Sequence, residues 1–252
     1  SFNEEIHISR CISKLNDCFL CRIVIIDSFS TDNTVAIASN FDNVEVYQRQ
    51  WPGNQAEQFN WALNNVPNLP NWILRLDADE YLSDMCGREI ITSLTRHDIA
   101  GFYIKRRHIF NNKWIKYGIY PVKILRLFRF GYGSYSEKDI MDEHILISGK
   151  SDTLKHDFYD HSLISLGDFI KKHQGYAMRE AEKSLSVHPL NSNKRLYYSW
   201  PPIIRAILFW LYVYILRLGF LGGKKAFVFF LIQVLYYRIL VDLHIIKNKL
   251  NL

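Results

Sequence analysis

The chain has 252 residues, of which 48% are hydrophobic and 15% aromatic, and its formal net charge is +6. This length is sufficient to bury a hydrophobic core and suits one large or two small domains. Four cysteines are few for a chain of this size, which excludes a disulfide-stabilised scaffold and favours a reducing compartment.

The basic residues are concentrated towards the C-terminal end. Residues 194–252 carry nine Lys and Arg against one acidic residue, whereas residues 1–193 carry 22 basic and 24 acidic residues. The second part is also rich in aromatic and aliphatic side chains. We therefore predict a nearly neutral domain at residues 1–190 and a basic helical tail at residues 191–252.

The first part alternates between predicted helices and strands. In chain order these are a helix from Ile8, a strand at 22–27, a helix at 34–41, a strand at 44–47, a helix at 54–66 and a strand from Trp72. Such alternation favours an α/β fold of right-handed βαβ units, with a parallel sheet flanked by helices. A helix this close to Ser1 is normally preceded by a strand, so we expect the first strand of the sheet to lie upstream. Asn3 and the two glutamates after it are expected to cap the first helix.

The order is less regular after residue 82. We predict a helix at 90–94, strands at 101–110 and 123–129, and an amphipathic helix at 165–185. Two strongly apolar stretches follow, at 203–216 and 226–241. Each is shorter than the roughly 20 residues needed to span a bilayer.

Three acidic residues follow the strand that starts at Trp72, namely Asp77, Asp79 and Glu80. Ligands bind beyond the carboxyl ends of the strands in open parallel sheets, and Mg²⁺ or Mn²⁺ prefers oxygen ligands. The Asp-x-Asp spacing therefore indicates a metal site, and the alternative is a solvated acidic turn.

Four segments together resemble the family 2 inverting glycosyltransferases, and within them the bacterial enzymes of lipopolysaccharide core and capsule synthesis. They are residues 2–5 (FNEE), 25–34 (IIDSFSTDNT), 76–80 (LDADE) and 141–144 (MDEH). The resemblance implies a GT-A fold: a Rossmann-like mixed, mostly parallel sheet flanked by helices, here with a C-terminal apolar helical extension.

The resemblance also implies site residues. Those expected to bind the nucleotide sugar are Asn3, Glu5, Asp27, Ser28, Asn60 and Asp77. Asp79, with Asp77 beside it, is expected to hold Mg²⁺ or Mn²⁺ against the diphosphate. Glu143, or its neighbour Asp142, is expected to be the catalytic base.

Other polar residues allow two interpretations. Gln55 and Gln58 belong either to the donor cleft or to a polar helix face. Arg126 and Arg129 either bind phosphate or are exposed strand arginines. His161 lacks metal-ligand spacing and is expected to be hydrogen-bonded.

The implied reaction is metal-dependent transfer of a hexose, with inversion, from a nucleoside-diphosphate sugar to a lipid-linked or lipopolysaccharide-type glycan. A UDP-hexose is the favoured donor. The alternatives are a nucleotidyltransferase that makes nucleotide sugars, a haloacid-dehalogenase-type phosphatase, and a catalytically inactive membrane adaptor with the same fold.

The apolar stretches of the tail contain Arg205 and Arg238, which disfavours a bilayer span. We expect a peripheral or monotopic helical hairpin at the cytoplasmic face of the inner (plasma) membrane. The alternative is a pair of helices packed on the domain or on a second copy in a homo-oligomer. Nucleic-acid binding is disfavoured because the charges are spread through apolar runs rather than gathered on one polar face.

Overall fold

The computed structural model describes residues 1–135, 144–186, 197 and 199–249. The chain forms two compact units, one from residues 1–109 and 121–163 and the other from residues 110–120 and 164–252. We call them unit 1 and unit 2.

The first half of unit 1 has the predicted alternation of helices and strands. Its elements are α1 (Ile8–Cys18), β1 (Ile23–Asp27), α2 (Thr34–Ala38), β2 (Val44–Gln48), α3 (Gln55–Asn65), β3 (Trp72–Leu74), β4 (Glu80–Leu82) and α4 (Asp84–Ser93). Strands β1 and β2 pair in parallel, joined by α2. The carboxyl end of β1 therefore carries the turn that begins at Asp27.

The remaining strands are β5 (Gly101–Phe110), β6 (Lys113–Trp114), β7 (Val122–Arg129), β8 (Gly133–Tyr135), β9 (Ile145–Ile147) and β10 (Ser151–His161). The main sheet has the strand order β3-β7-β5-β10-β4. Its β5–β10 pair is parallel, and β3–β7, β5–β7 and β4–β10 are antiparallel. The predicted mixed α/β class is confirmed, although this sheet has fewer parallel pairs than expected. Strands β5 and β7 are joined without a crossover helix, and parallel pairing requires one.

Helix α1 has the predicted buried face but a different start. Ile8, Cys11, Ile12 and Leu15 are buried along it. Its N-cap residue is His7, without a side-chain capping hydrogen bond, so the capping role expected at residues 3–5 is wrong. The backbone N–H of Glu4 and Glu5 instead donates to side chains of the turn after β1.

The core of unit 1 lies between the main sheet and the helices α1 and α4. Phe102, Phe158 and Leu82 from three strands are almost completely buried against Cys86 and Ile90 of α4. This core fixes the start of β4, which carries Glu80, and the end of β10, which carries His161. Both residues belong to the candidate site described below.

Unit 2 is helical apart from β6. Its elements are α5 (Leu166–Ser186), α6 (Ile204–Leu211), a π-helical segment (Tyr212–Leu216), a 3₁₀ turn (Gly219–Gly222), α7 (Gly223–Phe230), a second π-helical segment (Leu231–Tyr236) and α8 (Tyr237–Lys249). Small residues Ala177 and Ala181 of α5 pack against Val241 and Ile245 of α8. The amphipathic helix predicted at 165–185 is thus confirmed.

The second apolar helix is longer than the sequence predicts. Residues 219–248 form one helical run of 30 residues, long and apolar enough by length and composition to cross a membrane. The prediction missed this because the glycine-rich connection forms a 3₁₀ turn that continues directly into α7. A core helix of a soluble protein passes the same test of length and hydropathy, so the run does not by itself establish a span.

Candidate active site

The turn after β1 is organised by a buried aspartate. Asp27 is 0% exposed. Its Oδ1 accepts hydrogen bonds from the hydroxyls of Ser30 (2.5 Å) and Ser1 (3.0 Å), and its Oδ2 accepts from the Ser30 N–H (2.8 Å). In the structure Asp27 therefore holds the turn in place, and its expected contact with uracil stays a prediction.

The N-terminal segment lies against this turn. The Asn3 side-chain oxygen accepts from the Thr31 N–H (2.9 Å), and the Ser30 hydroxyl accepts from the Asn3 N–H (2.9 Å). Glu5 accepts hydrogen bonds from the backbone (3.0 Å) and the side-chain amide (2.9 Å) of Asn33. Two of the four segments that carry the family resemblance are thus in direct contact.

Helix α3 contributes a second side of this region. Gln58 is buried and donates to the Ser28 hydroxyl (3.2 Å), while its side-chain oxygen lies 3.3 Å from a guanidinium nitrogen of Arg49. Of the two interpretations of Gln58, this geometry supports a position beside the candidate nucleotide site.

Asn60 makes a different contact from the one expected. Its side-chain amide donates to the Tyr135 carbonyl and accepts from the Tyr135 N–H, both at 3.0 Å. Asn60 therefore holds β8 against α3, immediately before residues 136–143. Contact between Asn60 and a nucleotide sugar stays a prediction.

The Asp-x-Asp turn is built on a buried ion-pair network. Arg126 and Glu80 are each 2% exposed and are paired. A second contact of Arg126 reaches Asp77 Oδ2 at 3.2 Å, and Arg75 donates to Asp77 Oδ1 at 2.9 Å. The Asp77 N–H in turn donates to Glu80 (3.0 Å). Arg126 is thus neither of the two kinds of arginine predicted, because its guanidinium is buried between carboxylates.

The protonation equilibria of these carboxylates differ. Burial raises the pKa of the Glu80 carboxyl to about 8, and the neighbouring Arg126 guanidinium opposes that rise. Burial also acts to raise the pKa of Asp77, but Arg75 and Arg126 together hold it below its usual value. Asp77 therefore remains ionised at neutral pH.

The second aspartate is positioned through its main chain. The Asp79 carbonyl accepts from the His161 N–H at 3.0 Å and lies 3.4 Å from a guanidinium nitrogen of Arg10. The His161 ring contacts Arg10 (3.3 Å) and the Tyr81 hydroxyl (3.4 Å), which confirms that this histidine is hydrogen-bonded. Burial, together with the positive charge of Arg10, lowers the pKa of His161. Asp79 itself is partly exposed, whereas the adjacent Glu80 is buried.

The turn offers carboxylate oxygens, the kind of ligand that Mg²⁺ and Mn²⁺ prefer, and a metal ion at this turn stays a prediction. Such ions are commonly bound by one or two carboxylates together with water and substrate phosphates, rather than by a complete protein cage. The described part of the chain has no group of three or more His, Cys, Asp or Glu side chains arranged to hold a metal. Both Asp77 oxygens accept arginine hydrogen bonds, and the role of Asp79 as the metal ligand, which the family resemblance implies, stays a prediction.

The candidate bases Asp142 and Glu143 lie outside the described residues. The nearest described parts are β8 and β9, which pair with Tyr135 opposite Ile145. The Tyr135 ring lies 5.7 Å from the guanidinium carbon of Arg75. Thus the residue that precedes the segment is fixed close to the Asp77 network.

Sequence reasoning missed Arg75 and Arg10. Arg75 had a usable signal, because it lies two residues before Asp77 and alternate residues of an extended segment share a face. Arg10 lies on α1, and its contact with the Asp79 turn arises only from the tertiary fold.

Residues 1–149 match the family model described as glycosyl transferase family 2. The lipopolysaccharide core biosynthesis glycosyltransferase LpsC of Rhizobium meliloti is 29% identical over 233 residues, which cover 88% of this chain and 78% of LpsC. An uncharacterized glycosyltransferase of Rickettsia felis is 25% identical over 239 residues, covering 90% of this chain and 80% of the relative. The crystal structure of S. aureus TarS 1–349 in complex with UDP is 16% identical, with a TM-score of 0.50, covering 100% of this chain and 90% of TarS 1–349. At that identity the likeness to TarS shows the fold alone.

The buried network predicts unequal effects on stability. Arg126→Met removes the buried partner of Glu80, whose carboxyl must then stay protonated and lose its hydrogen bond, and should lower the free energy of unfolding by ~3 kcal/mol in urea titrations followed by circular dichroism. The double variant Arg126→Met with Glu80→Met should recover most of that loss. Arg22→Met breaks the more exposed pair with Glu45 and serves as the control, with an expected loss well below that of Arg126→Met. A loss for Arg126→Met no greater than for this control would contradict the structural role of the network.

Proposed function

The chain belongs to glycosyl transferase family 2, and from that premise we propose that it transfers a hexose, with inversion and with a divalent cation, from a UDP-hexose to a lipid-linked or lipopolysaccharide-type glycan. Ala78, between the two aspartates, packs against the buried cluster that contains Ile25 of β1 and Ile12 of α1, so the Asp77–Asp79 turn lies beside the strand that carries the candidate nucleotide region, and this supports the proposal most directly. Both features were expected from the resemblance, and their local geometry suits a negatively charged diphosphate held by a metal ion.

The turn after β1 is the part of the site proposed to bind the nucleotide of the sugar donor. Asn3 and Glu5 accept hydrogen bonds from the backbone of this turn, and Gln58 donates to the hydroxyl of Ser28. Hydroxyl and amide groups of this kind both donate and accept hydrogen bonds, as recognition of a uracil ring and a ribose requires. TarS, which shares the fold, was crystallised with UDP.

Asp79 is the residue proposed to hold Mg²⁺ or Mn²⁺. When bound, such an ion neutralises the negative charge that grows on the leaving diphosphate. Arg75 and Arg126 keep Asp77 ionised and oriented, so Asp77 contributes a fixed negative charge beside Asp79. The contacts of Arg10 and His161 with the Asp79 carbonyl keep the turn from shifting.

The acceptor must lose a proton as it attacks the anomeric carbon. Glu143, or Asp142 beside it, is the carboxylate proposed to take that proton as general base. A single displacement from the face opposite the diphosphate inverts the anomeric centre, so an α-linked donor gives a β-linked product.

The acceptor class follows from similarity to LpsC, whose name assigns it to lipopolysaccharide core biosynthesis. A glycan carried on a lipid remains at the membrane, while nucleotide sugars are soluble. We therefore propose that the protein acts at the cytoplasmic face of the inner membrane, attached through the apolar helices of unit 2.

Removal of the Asp79 carboxylate should abolish metal-supported donor binding. Calorimetric titration of UDP into the full-length protein should give binding with Mn²⁺ that weakens strongly in EDTA, and Asp79→Ala should bind as weakly with Mn²⁺ as the wild type does in EDTA. Asp98→Ala, which removes an exposed carboxylate paired with Lys150, is the matched control and should bind normally. Metal-dependent binding that persists in Asp79→Ala would contradict the assignment of the ligand, and absence of UDP binding in a folded wild type would contradict the proposed donor.

Replacement of the base should separate binding from catalysis. Glu143→Gln should retain the dissociation constant for UDP but lose ~10²–10⁴ in kcat, because the acceptor proton then has no receiving carboxylate. The neighbouring Asp142→Asn is compared in the same assay. If Glu143→Gln keeps full activity and Asp142→Asn loses it, the role of base passes to Asp142.

A further inference from the structure

Helix α6 and the π-helical segment after it expose an apolar stripe. Ile204, Ile207, Leu208, Tyr212, Ile215 and Leu216 recur at helical spacing and are each at least 42% exposed, with Leu216 at 73%. The opposite side is buried and includes Ala206 and Val213. A surface helix of a soluble domain normally has the reverse arrangement, with its polar side towards water.

The apolar surface continues around the connection to the next helix. Leu218, Phe220 and Leu221 are each at least 45% exposed, and Phe227 and Leu231 follow on α7 and the segment after it. Leu218 has φ +61°, a left-handed conformation that costs about 1–2 kcal/mol for a residue other than glycine. We call residues 203–231 with these exposed side chains the hairpin face.

The charges of the hairpin face are all positive. Arg217, Lys224 and Lys225 are exposed at the connection, and residues 203–231 contain no Asp or Glu. The remaining cation, Arg205, is buried and paired with Asp242. Exposed aliphatic and aromatic side chains next to uncompensated cations complement a bilayer with anionic headgroups.

Polar contacts along the 30-residue helix oppose a transmembrane arrangement. Glu180 of α5 accepts from the Tyr237 hydroxyl and pairs with Arg238, and His173 of α5 contacts Gln233 at 2.5 Å. Helix α5 also carries exposed charges, including Lys171. A bilayer around residues 219–248 would have to accommodate α5 and its charged groups, which is costly in hydrocarbon.

We propose that the hairpin face binds the surface of a membrane containing anionic lipid, with its helices in the plane of the interface and residues 219–248 on one side of the bilayer. This inference extends the proposed function, on which its cytoplasmic location rests, by naming the surface and its mode of binding. A second copy of the chain fits the same face less well, since two-fold pairing would bring Arg217, Lys224 and Lys225 of both copies together without an acidic partner.

Vesicle binding tests the surface without any sugar substrate. The full-length protein should co-sediment with vesicles of phosphatidylcholine and phosphatidylglycerol. Leu208→Gln with Leu216→Gln should weaken that binding at least tenfold. The double variant loses the free energy gained when two leucine side chains move from water into the membrane. Leu243→Gln changes a leucine of the same unit that is 47% exposed but outside the hairpin face, and should bind as the wild type does. Leu216→Gln alone replaces the double variant if circular dichroism shows that the latter is unfolded.

Charge and orientation are tested separately. Arg217→Gln with Lys224→Gln should remove most of the preference for anionic over pure phosphatidylcholine vesicles.

For orientation, cysteines are placed at Lys224 and Asn248, with the partly exposed Cys18 and Cys21 changed to Ser. A membrane-impermeant maleimide added outside the vesicles should label both positions.

Three results would overturn the inference. They are unchanged vesicle binding in the leucine variants, labelling at one end of the helix only, and a concentration-dependent dimer that fails to bind vesicles and dissociates in the leucine variants. UDP binding is measured on the same samples. Retained UDP binding without vesicle binding would refute the membrane surface alone, whereas vesicle binding without UDP binding would refute the proposed donor.

Discussion

The candidate site depends on the burial of one guanidinium group between two carboxylates. Arg126 of β7 is paired with Glu80 at the start of β4 and also contacts Asp77. Charges removed from water in this way are tolerated only when they are paired and hydrogen-bonded. Arg126 lies on β7, whereas Asp77 lies in the turn between β3 and β4 and Glu80 begins β4. The pairing therefore fixes this turn and the position of Asp79 within it.

The same network determines the electrostatics of the turn. Asp77 is held by two arginines and stays ionised. Glu80 is buried, and burial raises the pKa of its carboxyl. Three carboxyl groups within four residues thus have different environments. Asp79 is partly exposed, its carbonyl accepts a hydrogen bond from the His161 N–H, and it is the residue proposed to hold the cation.

Local pattern was sufficient for the alternating elements up to β3, for β5, β7 and α5, and for the Asp-x-Asp turn, since hydrophobic periodicity and acidic residues after a strand are visible in sequence. It did not predict β4, β6 or the strands β8 to β10. Long-range pairing was not visible, and the structure alone shows that Arg126 is buried and that Asn60 holds Tyr135. The antiparallel order of the main sheet and the continuous helix at residues 219–248 also depend on tertiary packing and on the conformation of connections. The predicted bases at residues 142 and 143 lie outside the described part of the chain and stay predictions.

The family membership makes the chain a glycosyltransferase, and the acidic turn and the apolar hairpin face support the proposal that it combines a soluble sugar donor with an acceptor at a membrane. The most direct test is transfer itself. The purified protein, with Mn²⁺ and a bacterial lipid and lipopolysaccharide extract, is incubated with a panel of radiolabelled α-linked UDP-hexoses. We expect one donor to label the extract with equimolar release of UDP and a β-linked product by NMR. An α-linked product, release of free hexose only, or no UDP release from any donor by a folded protein would contradict the account.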